Sequence, residues 1–236
     1  MGARHLPDGV LMCGITALQL RDPGLRPRLG ALMAAMMAQV AERGPDSAGI
    51  TIYPEIAVLK GVGHPAVLAT EWRLHEISGT QAVAHTRMAT ESAITAAHCH
   101  PFVVGDGLSL VHNGSFANHA TIRRELLARG VAFDSDNDSE VAARFLAYRL
   151  DSGDDLEKAL RLLCERFDGF YTLAVQTPDA FAVVRDVIAC KPAIIAETPG
   201  WVAMASEYRA LAVLPGIEAA RVYEPEPEEV YLWTST

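Results

Sequence analysis

One thiol in this chain has surroundings suited to nucleophilic chemistry. Cys13 follows Met12, opens the apolar run Gly14-Ile15-Thr16-Ala17-Leu18, and shares no CxxC or zinc-type spacing with Cys99, Cys164 or Cys190. A disulfide or a thiol-bound metal is therefore hard to build on it. A cysteine that becomes the first residue of a mature chain has its own α-amine beside the sulfur. That amine titrates near neutral pH, so the thiol proton has an acceptor without a histidine. Most lone cysteines are simply small buried residues, so the argument needs further groups. Three polar clusters supply them: His85-Thr86-Arg87-Met88-Ala89-Thr90, His112-Asn113-Gly114 and Asp136-Asn137-Asp138-Ser139-Glu140. Arg87 offers a planar fork for a carboxylate, and Thr90 adds a hydroxyl three residues on. Asn113 and Gly114 place a side-chain amide next to a backbone N–H, the pair that holds a developing oxyanion. Asp138 can hold an ammonium group. Arg87 and Asp138 would then grip the two charged ends of an amino acid while Cys13 and Asn113 act on its side chain. Each cluster also has an ordinary structural use, as a hairpin turn, a helix cap or a surface ion pair. Their combination with Cys13 is what points to a site.

The elements that must position these residues are interleaved without a linker. Residues 14–20 read as a buried strand, and 25–41 as a helix in which Leu29, Leu32, Met33, Met36, Met37 and Val40 recur at helical spacing. The methionines read as core filling. Gly44-Pro45-Asp46 ends the helix, and 48–53 with 56–60 suggest a hairpin around Pro54. Short strands at 80–85 and 108–112 each deliver a polar cluster at their ends. Helices are expected at 118–129, 139–150 and 156–167, followed by four short strands at 169–175, 180–185, 193–196 and 201–205, read as a meander. This order lacks regular βα alternation, so it predicts an α+β fold of mostly antiparallel sheets with helices on their outer faces.

Composition narrows the function. A net charge of −9 over 236 residues, with no basic cluster, argues against nucleic-acid binding. No apolar stretch approaches the roughly 20 residues of a membrane span, and the first eleven residues lack a signal-peptide core. Unpaired cysteines fit a reducing cytoplasm. His98-Cys99-His100, with His85 and His112, lacks regular ligand spacing, so no metal is expected. The acidic stretch at 224–229 reads as a stiff, solvated segment.

Taken in order, Met12-Cys13-Gly14-Ile15, Arg43-Gly44-Pro45-Asp46-Ser47-Ala48-Gly49-Ile50, the His85 to Thr90 cluster, His112-Asn113-Gly114 and Asp138-Ser139-Glu140 resemble the successive motifs of class II glutamine amidotransferases. Arg185-Asp186 with Lys191-Pro192, and Ala205-Ser206-Glu207, resemble the later ones. The resemblance runs over about residues 12 to 215. It implies an N-terminal-nucleophile (Ntn) hydrolase fold, a four-layer α/β/β/α sandwich, with a type 2 amidotransferase domain over 13–236. It implies Cys13 as nucleophile with its α-amine as base, and an oxyanion hole from Asn113 and Gly114. It further implies Arg87 and Thr90 on the glutamine carboxylate, Asp138 on its ammonium, and Arg43 with Asp46 shaping the site beside the N-terminus. Residues 1–12 are then a leader, or lie ahead of the true start, and are expected to be removed. Glu91-Ser92 stands where the family often has His-Gly or Ala-Gly, which alters a loop that closes over glutamine.

Thr-Arg-Met-Ala-Thr-Glu-Ser at 86–92 and the ending Glu-Glu-Val-Tyr-Leu-Trp at 228–233 look most like the stand-alone amidotransferase subunit of glutamate-synthase-type enzymes, N-methylglutamate synthase included. The resemblance implies no cofactor in this chain, FMN and an iron–sulfur centre in partners, and separate synthase subunits, one FMN-binding and one like the C-terminal domain of glutamate synthase. Two alternatives stay open: an N-terminal-nucleophile amidase acting on a γ-glutamyl amide, and a non-catalytic regulatory subunit.

Overall fold

The structure, a computed structural model, describes residues 13–88 and 99–235. The 1–12 segment, Thr90, Glu91-Ser92 and His98 lie outside the described residues.

Among the described residues, twelve strands form two sheets in which every pairing is antiparallel. The first sheet has seven strands: β1 (Gly14–Leu20), β2 (Ser47–Tyr53), β3 (Ala57–Val62), β4 (Gln81–Arg87), β9 (Ile194–Glu197), β10 (Trp201–Ala205) and β11 (Arg221–Tyr223). Their order is β11-β9-β10-β1-β4-β2-β3, which puts β1 at the centre. The second sheet runs β12 (Tyr231–Thr234), β8 (Ala180–Arg185), β7 (Gly169–Thr177), β6 (Leu108–Phe116), β5 (Phe102–Val104). Helices α1 (Leu29–Gln39), α2 (Pro65–Glu71) and α6 (Tyr208–Leu211) belong with the first sheet. Helices α3 (His119–Ala128), α4 (Asp138–Asp151) and α5 (Leu156–Arg166) belong with the second.

Strand side chains alternate between faces, and the apolar ones sort accordingly into three cores. Leu18, Leu20, Ala82 and Ala84 pack with the α1 residues Leu29, Leu32, Met33 and Met36. Their neighbours Ile15, Ala17 and Val83 face the other way, onto Val111, Ala174, Phe181 and Val183 of the second sheet. Leu110, Leu173, Val175 and Val184 point outward again, onto Val141, Leu146, Leu160 and Leu163 of α4 and α5. Three cores between four layers make the α/β/β/α sandwich that the sequence resemblance implies. No helix among the described residues is long and apolar enough to cross a membrane.

Two sequence expectations need correction and a third needs qualification. The helix expected at 25–41 begins only at Leu29, because residues 23–28 wind as a 3-10 segment containing Pro27. Proline lacks the N–H that an α-turn needs and crowds the preceding turn. The four strands expected as one meander are two hairpins in different sheets, β7-β8 in the second and β9-β10 in the first. The acidic 224–229 stretch is the crossover between β11 and β12, and so joins the two sheets. It is not wholly solvated: Pro225 is buried, and its carbonyl accepts from Arg185 Nη1 at 3.2 Å.

Candidate active site

Cys13 enters the fold at the head of the central strand β1, half-buried, where the two sheets come together. Its position is fixed through the backbone. Gly14 N donates to Thr86 Oγ1 at 3.2 Å, Thr86 Oγ1 donates to Val40 O at 3.2 Å, and Ile15 N donates to Ser206 Oγ at 2.9 Å. A Cβ on Gly14 would fall 2.7 Å from Thr86 Oγ1 and 2.8 Å from Val40 Cβ, so only glycine fits beside the nucleophile candidate. The Cys13 carbonyl accepts from Asn113 Nδ2 at 2.9 Å and from Arg43 Nε at 3.3 Å.

Arg43 therefore holds the Cys13 backbone from behind, anchored by Glu207 Oε1 at 2.8 Å, and does not line the cleft. Gly44 backs onto the end of β4 so closely that a Cβ would lie 2.5 Å from Arg87 N. The next residues continue that contact, as Asp46 N donates to Arg87 O at 3.2 Å.

Asn113 sits on β6, in the facing sheet, and its amide orientation is determined. His85 Nε2 lies 3.0 Å from Asn113 Oδ1. The Cys13 carbonyl only accepts, so the Asn113 NH₂ group faces Cys13 and its oxygen accepts from His85 Nε2. Gly114 follows with φ +141°, and a Cβ there would fall 1.9 Å from Phe170 O. The Asn-Gly pair is not a hairpin turn: it lies inside β6, paired with Thr172 and Tyr171 of β7.

The thiol itself is perturbed. Burial pushes its pKa up, but the hydrogen bond and charge of His85, the Met88 backbone N–H and the charge of Arg87 outweigh that, leaving it lowered from 9.0 to about 7. A cysteine in that range is substantially thiolate at neutral pH.

Asp138 arrives from the second helical layer, in the first turn of α4. The helix is capped by Asn137, whose side chain accepts from Ser139 N at 2.8 Å. The loop before it is held by Glu140, buried, which accepts from Asp134 N at 2.8 Å and from Ser135 N at 2.7 Å and Ser135 Oγ at 2.6 Å. Asp138 Oδ2 accepts from Phe116 N at 3.0 Å, which ties the carboxylate to the end of the strand that carries Asn113.

These groups converge on one cleft of about 260 Å³, lined by Cys13, His85, Arg87, Met88, His100, His112, Asn113, Gly114, Asn137, Asp138, Ser139 and Lys191. It is smaller than the roughly 300–1,000 Å³ of drug-sized sites and suits a small polar molecule. Of the expected site residues, Cys13, Arg87, Asn113, Gly114 and Asp138 meet here, Arg43 stands behind Cys13, and Thr90 lies outside the described residues.

Ser139 and Lys191, which fall in motifs that carry the resemblance but have no individual role in it, stand in this wall together with His100. Lys191 is brought in by a loop braced from inside. Buried Arg185 donates through Nη2 to Lys191 O at 3.0 Å and to Ala189 O, and Asp186 accepts from Ile188 N and Tyr171 N, both at 2.7 Å. The adjacent Arg-Asp pair was the available signal.

Comparison with known proteins agrees with the geometry. A family model for the glutamine amidotransferase domain matches residues 85–213. The chain is 39% identical to the glutamine amidotransferase-like protein GlxB of Rhizobium meliloti (strain 1021), over 94% of this chain and 98% of that protein. It is 32% identical to a putative glutamine amidotransferase of Methanothermobacter thermautotrophicus, over 75% of this chain and 58% of that one. Among solved structures, glutamine phosphoribosylpyrophosphate amidotransferase from B. subtilis superposes with a TM-score of 0.78 at 23% identity, covering 93% of this chain. The present chain spans 47% of that protein's length. The family match, the full-length relative and the shared sandwich agree, and the chain belongs to the class II glutamine amidotransferases.

Proposed function

We propose that this chain hydrolyses the side-chain amide of glutamine through a thioester on Cys13. The observation that carries this reading is the meeting, in one cleft, of a thiol with its pKa lowered to about 7 and the Asn113 amide, held by His85 with its NH₂ toward Cys13. Arg87 binds the glutamine α-carboxylate and Asp138 its α-ammonium, so the side-chain carboxamide is presented to the thiol. Sγ adds to the amide carbon as the proton leaves sulfur for the free α-amine of Cys13, the base that an N-terminal position supplies. Asn113 Nδ2 and the Gly114 N–H receive the oxyanion, a contribution of the kind worth about 10²–10³ in rate for a single donor. The α-ammonium returns the proton as the C–N bond breaks, ammonia departs, and water then cleaves the thioester to give glutamate and regenerate the thiol. Thr90 would add its hydroxyl to the carboxylate clamp, and Arg43 keeps the Cys13 backbone in place.

The scheme requires Cys13 to be N-terminal, so residues 1–12 are removed in the active form. The test is the intact mass of the purified chain before and after exposure to a diazo-ketone analogue of glutamine. A chain beginning at Cys13 that gains one adduct is expected. A full-length chain that gains none overturns the assignment.

We further infer that the ammonia, or methylamine in an N-methylglutamate synthase, goes to a separate synthase subunit carrying FMN. This reading is supported by the sequence likeness at 86–92 and 228–233 and by the 39% identity to an amidotransferase-like protein over 98% of that protein. Purification of the chain from its native cells should recover a polypeptide with flavin absorbance. Recovery without a flavoprotein would remove the synthase assignment and leave the hydrolase reading standing.

A further inference from the structure

Behind the anchoring end of the cleft, a single hydroxyl connects three side chains. Ser139 Oγ lies 2.9 Å from His100 Nε2, 2.9 Å from His112 Nδ1 and 3.3 Å from Asp138 Oδ1. Ser139 is 1% exposed, His112 4% and His100 8%, so water does not arrange these bonds. A serine hydroxyl has one proton and two lone pairs, and a carboxylate only accepts. With three neighbours, one arrangement uses every group: Oγ–H donates to Asp138, and both imidazoles donate to Oγ.

That arrangement makes a check on itself. It leaves His100 Nδ1 and His112 Nε2 without protons, and in these two rings they are the nitrogens that lack a hydrogen-bond partner among the described residues. An orphaned buried acceptor is tolerated better than an orphaned buried N–H. Burial holds both rings neutral: it lowers the His100 pKa well below its ordinary value, and that of His112 to about 4 despite the opposing charge of Asp138. The rings have little freedom to turn. His100 packs against His85 with centroids 4.2 Å apart and edge-on to Phe102 at 5.1 Å, while His112 stacks on Phe116 at 4.4 Å.

We propose that Ser139 is a positioning residue for glutamine recognition. Its proton, directed by His100 and His112, fixes the Asp138 carboxylate for the substrate α-ammonium. Phe116 N holds the other carboxylate oxygen at 3.0 Å, so both oxygens are oriented before substrate arrives. The inference rests on the glutaminase reading of the cleft and adds to it a group that need not touch the substrate. Ser139 does not cap its own helix through Oγ, because Asn137 performs that function, so the hydroxyl can be removed without removing the cap.

The experiment measures saturation kinetics of inactivation by the diazo-ketone analogue of glutamine and by its counterpart lacking the α-amino group. The protein is the chain beginning at Cys13, as wild type, Ser139→Ala and Ser139→Thr. Hydrogen bonds to charged groups are worth about 1.5–3 kcal/mol and every 1.4 kcal/mol is tenfold. Ser139→Ala should therefore raise the half-saturating concentration of the amino-bearing probe by about tenfold or more. Its limiting rate should stay within about twofold, and its response to the des-amino probe should match wild type. Ser139→Thr, which keeps the hydroxyl, should recover most of the loss. Equal losses on both probes, or no loss on either, would overturn the proposal. So would a threonine variant as impaired as alanine on the amino-bearing probe but wild-type on the other. A wild-type chain that neither probe inactivates would instead bring down the glutaminase reading, and this inference with it.

Discussion

The two ends of the cleft are built by different means. At the nucleophile end, Cys13 immediately precedes the central strand, His85, Arg87 and Asn113 stand on strands of the two facing sheets, and backbone groups do much of the holding: the Cys13 carbonyl, Gly14 N and Ile15 N are each bonded to a side chain. At the anchoring end, Asp138 stands at the start of a helix in an outer layer and is held by Phe116 N and a serine that two buried histidines orient. The first end is rigid because it is part of the sheets. The second is rigid only while its side-chain network is complete. Damage to the nucleophile end should therefore appear in turnover, and damage to the anchoring end in substrate affinity.

The hardest break in that contrast is at Cys13. Cys13→Ala should abolish hydrolysis and analogue labelling while leaving the thermal transition essentially unchanged, because the position is half-buried and its structural bonds are made by the backbone. Full activity in that variant would end the thioester mechanism. Asn113→Ala comes next. It removes one oxyanion donor and should lower kcat by about 10²–10³ with little effect on KM. A change confined to KM would move Asn113 to the anchoring end and erase the distinction.

Arg87 sharpens the contrast because it belongs to both ends, standing on a strand of the nucleophile end and helping to lower the thiol pKa while serving as the proposed carboxylate clamp. Arg87→Lys keeps the charge and loses the fork, so KM for glutamine should rise by about an order of magnitude or more with kcat less affected. An unchanged KM would mean that Arg87 is not the clamp.

The difference between the ends also explains what could be read from the sequence. Arg87, Asn113, Gly114 and Asp138 could be picked out because each lies in a local polar cluster, and Cys13 because no disulfide or metal spacing claims its thiol; the structure brings the five to one cleft. The His100–Ser139–His112 hub could not, because its members lie 39 and 27 positions apart in the chain and meet only when α4 packs beside β6. Arg43 was legible as a site residue but not as a brace on Cys13, since its bond spans 30 positions. The fold behaved similarly. The strand patterns at 169–185 and 193–205 look alike locally, and nothing in them reveals that β7-β8 and β9-β10 enter different sheets. Both hairpins share the core between the sheets, through Ala174 and Phe181 and through Ile195 and Met204, and they differ in their outward faces, Leu173 and Val184 packing in the α4–α5 core and Ala196 and Ala203 in the α1 core.

The smallest effect at neutral pH, and the one most specific to the anchoring end, is its response to acid. His112 has a folded pKa lowered to about 4, from 6.5, and that of His100 is lowered as well, burial being the main cause for both. Below 6.5 the unfolded chain takes up protons that the folded chain refuses, so stability must fall as pH falls, over a window running down to about 4 for His112. The slope fades about one pH unit above 6.5, where the unfolded rings are neutral as well. Glu140, whose pKa is lowered from 4.5 because bonds from Ser135, Asp134 and Arg144 outweigh its burial, begins to lose its contribution only as pH approaches its ordinary carboxylate range. The histidine window therefore opens first. Urea unfolding at a series of pH values between 7 and about 5 should give a falling midpoint at constant m-value, and His112→Asn should flatten that fall. A midpoint that stays level from pH 7 to 5 would mean that the two rings take up protons as readily in the native state as in the unfolded chain. Below about pH 6.5 the two rings would then stand beside Ser139 and Asp138 as cations, and their charge would act on the Asp138 carboxylate together with the directed hydrogen bond.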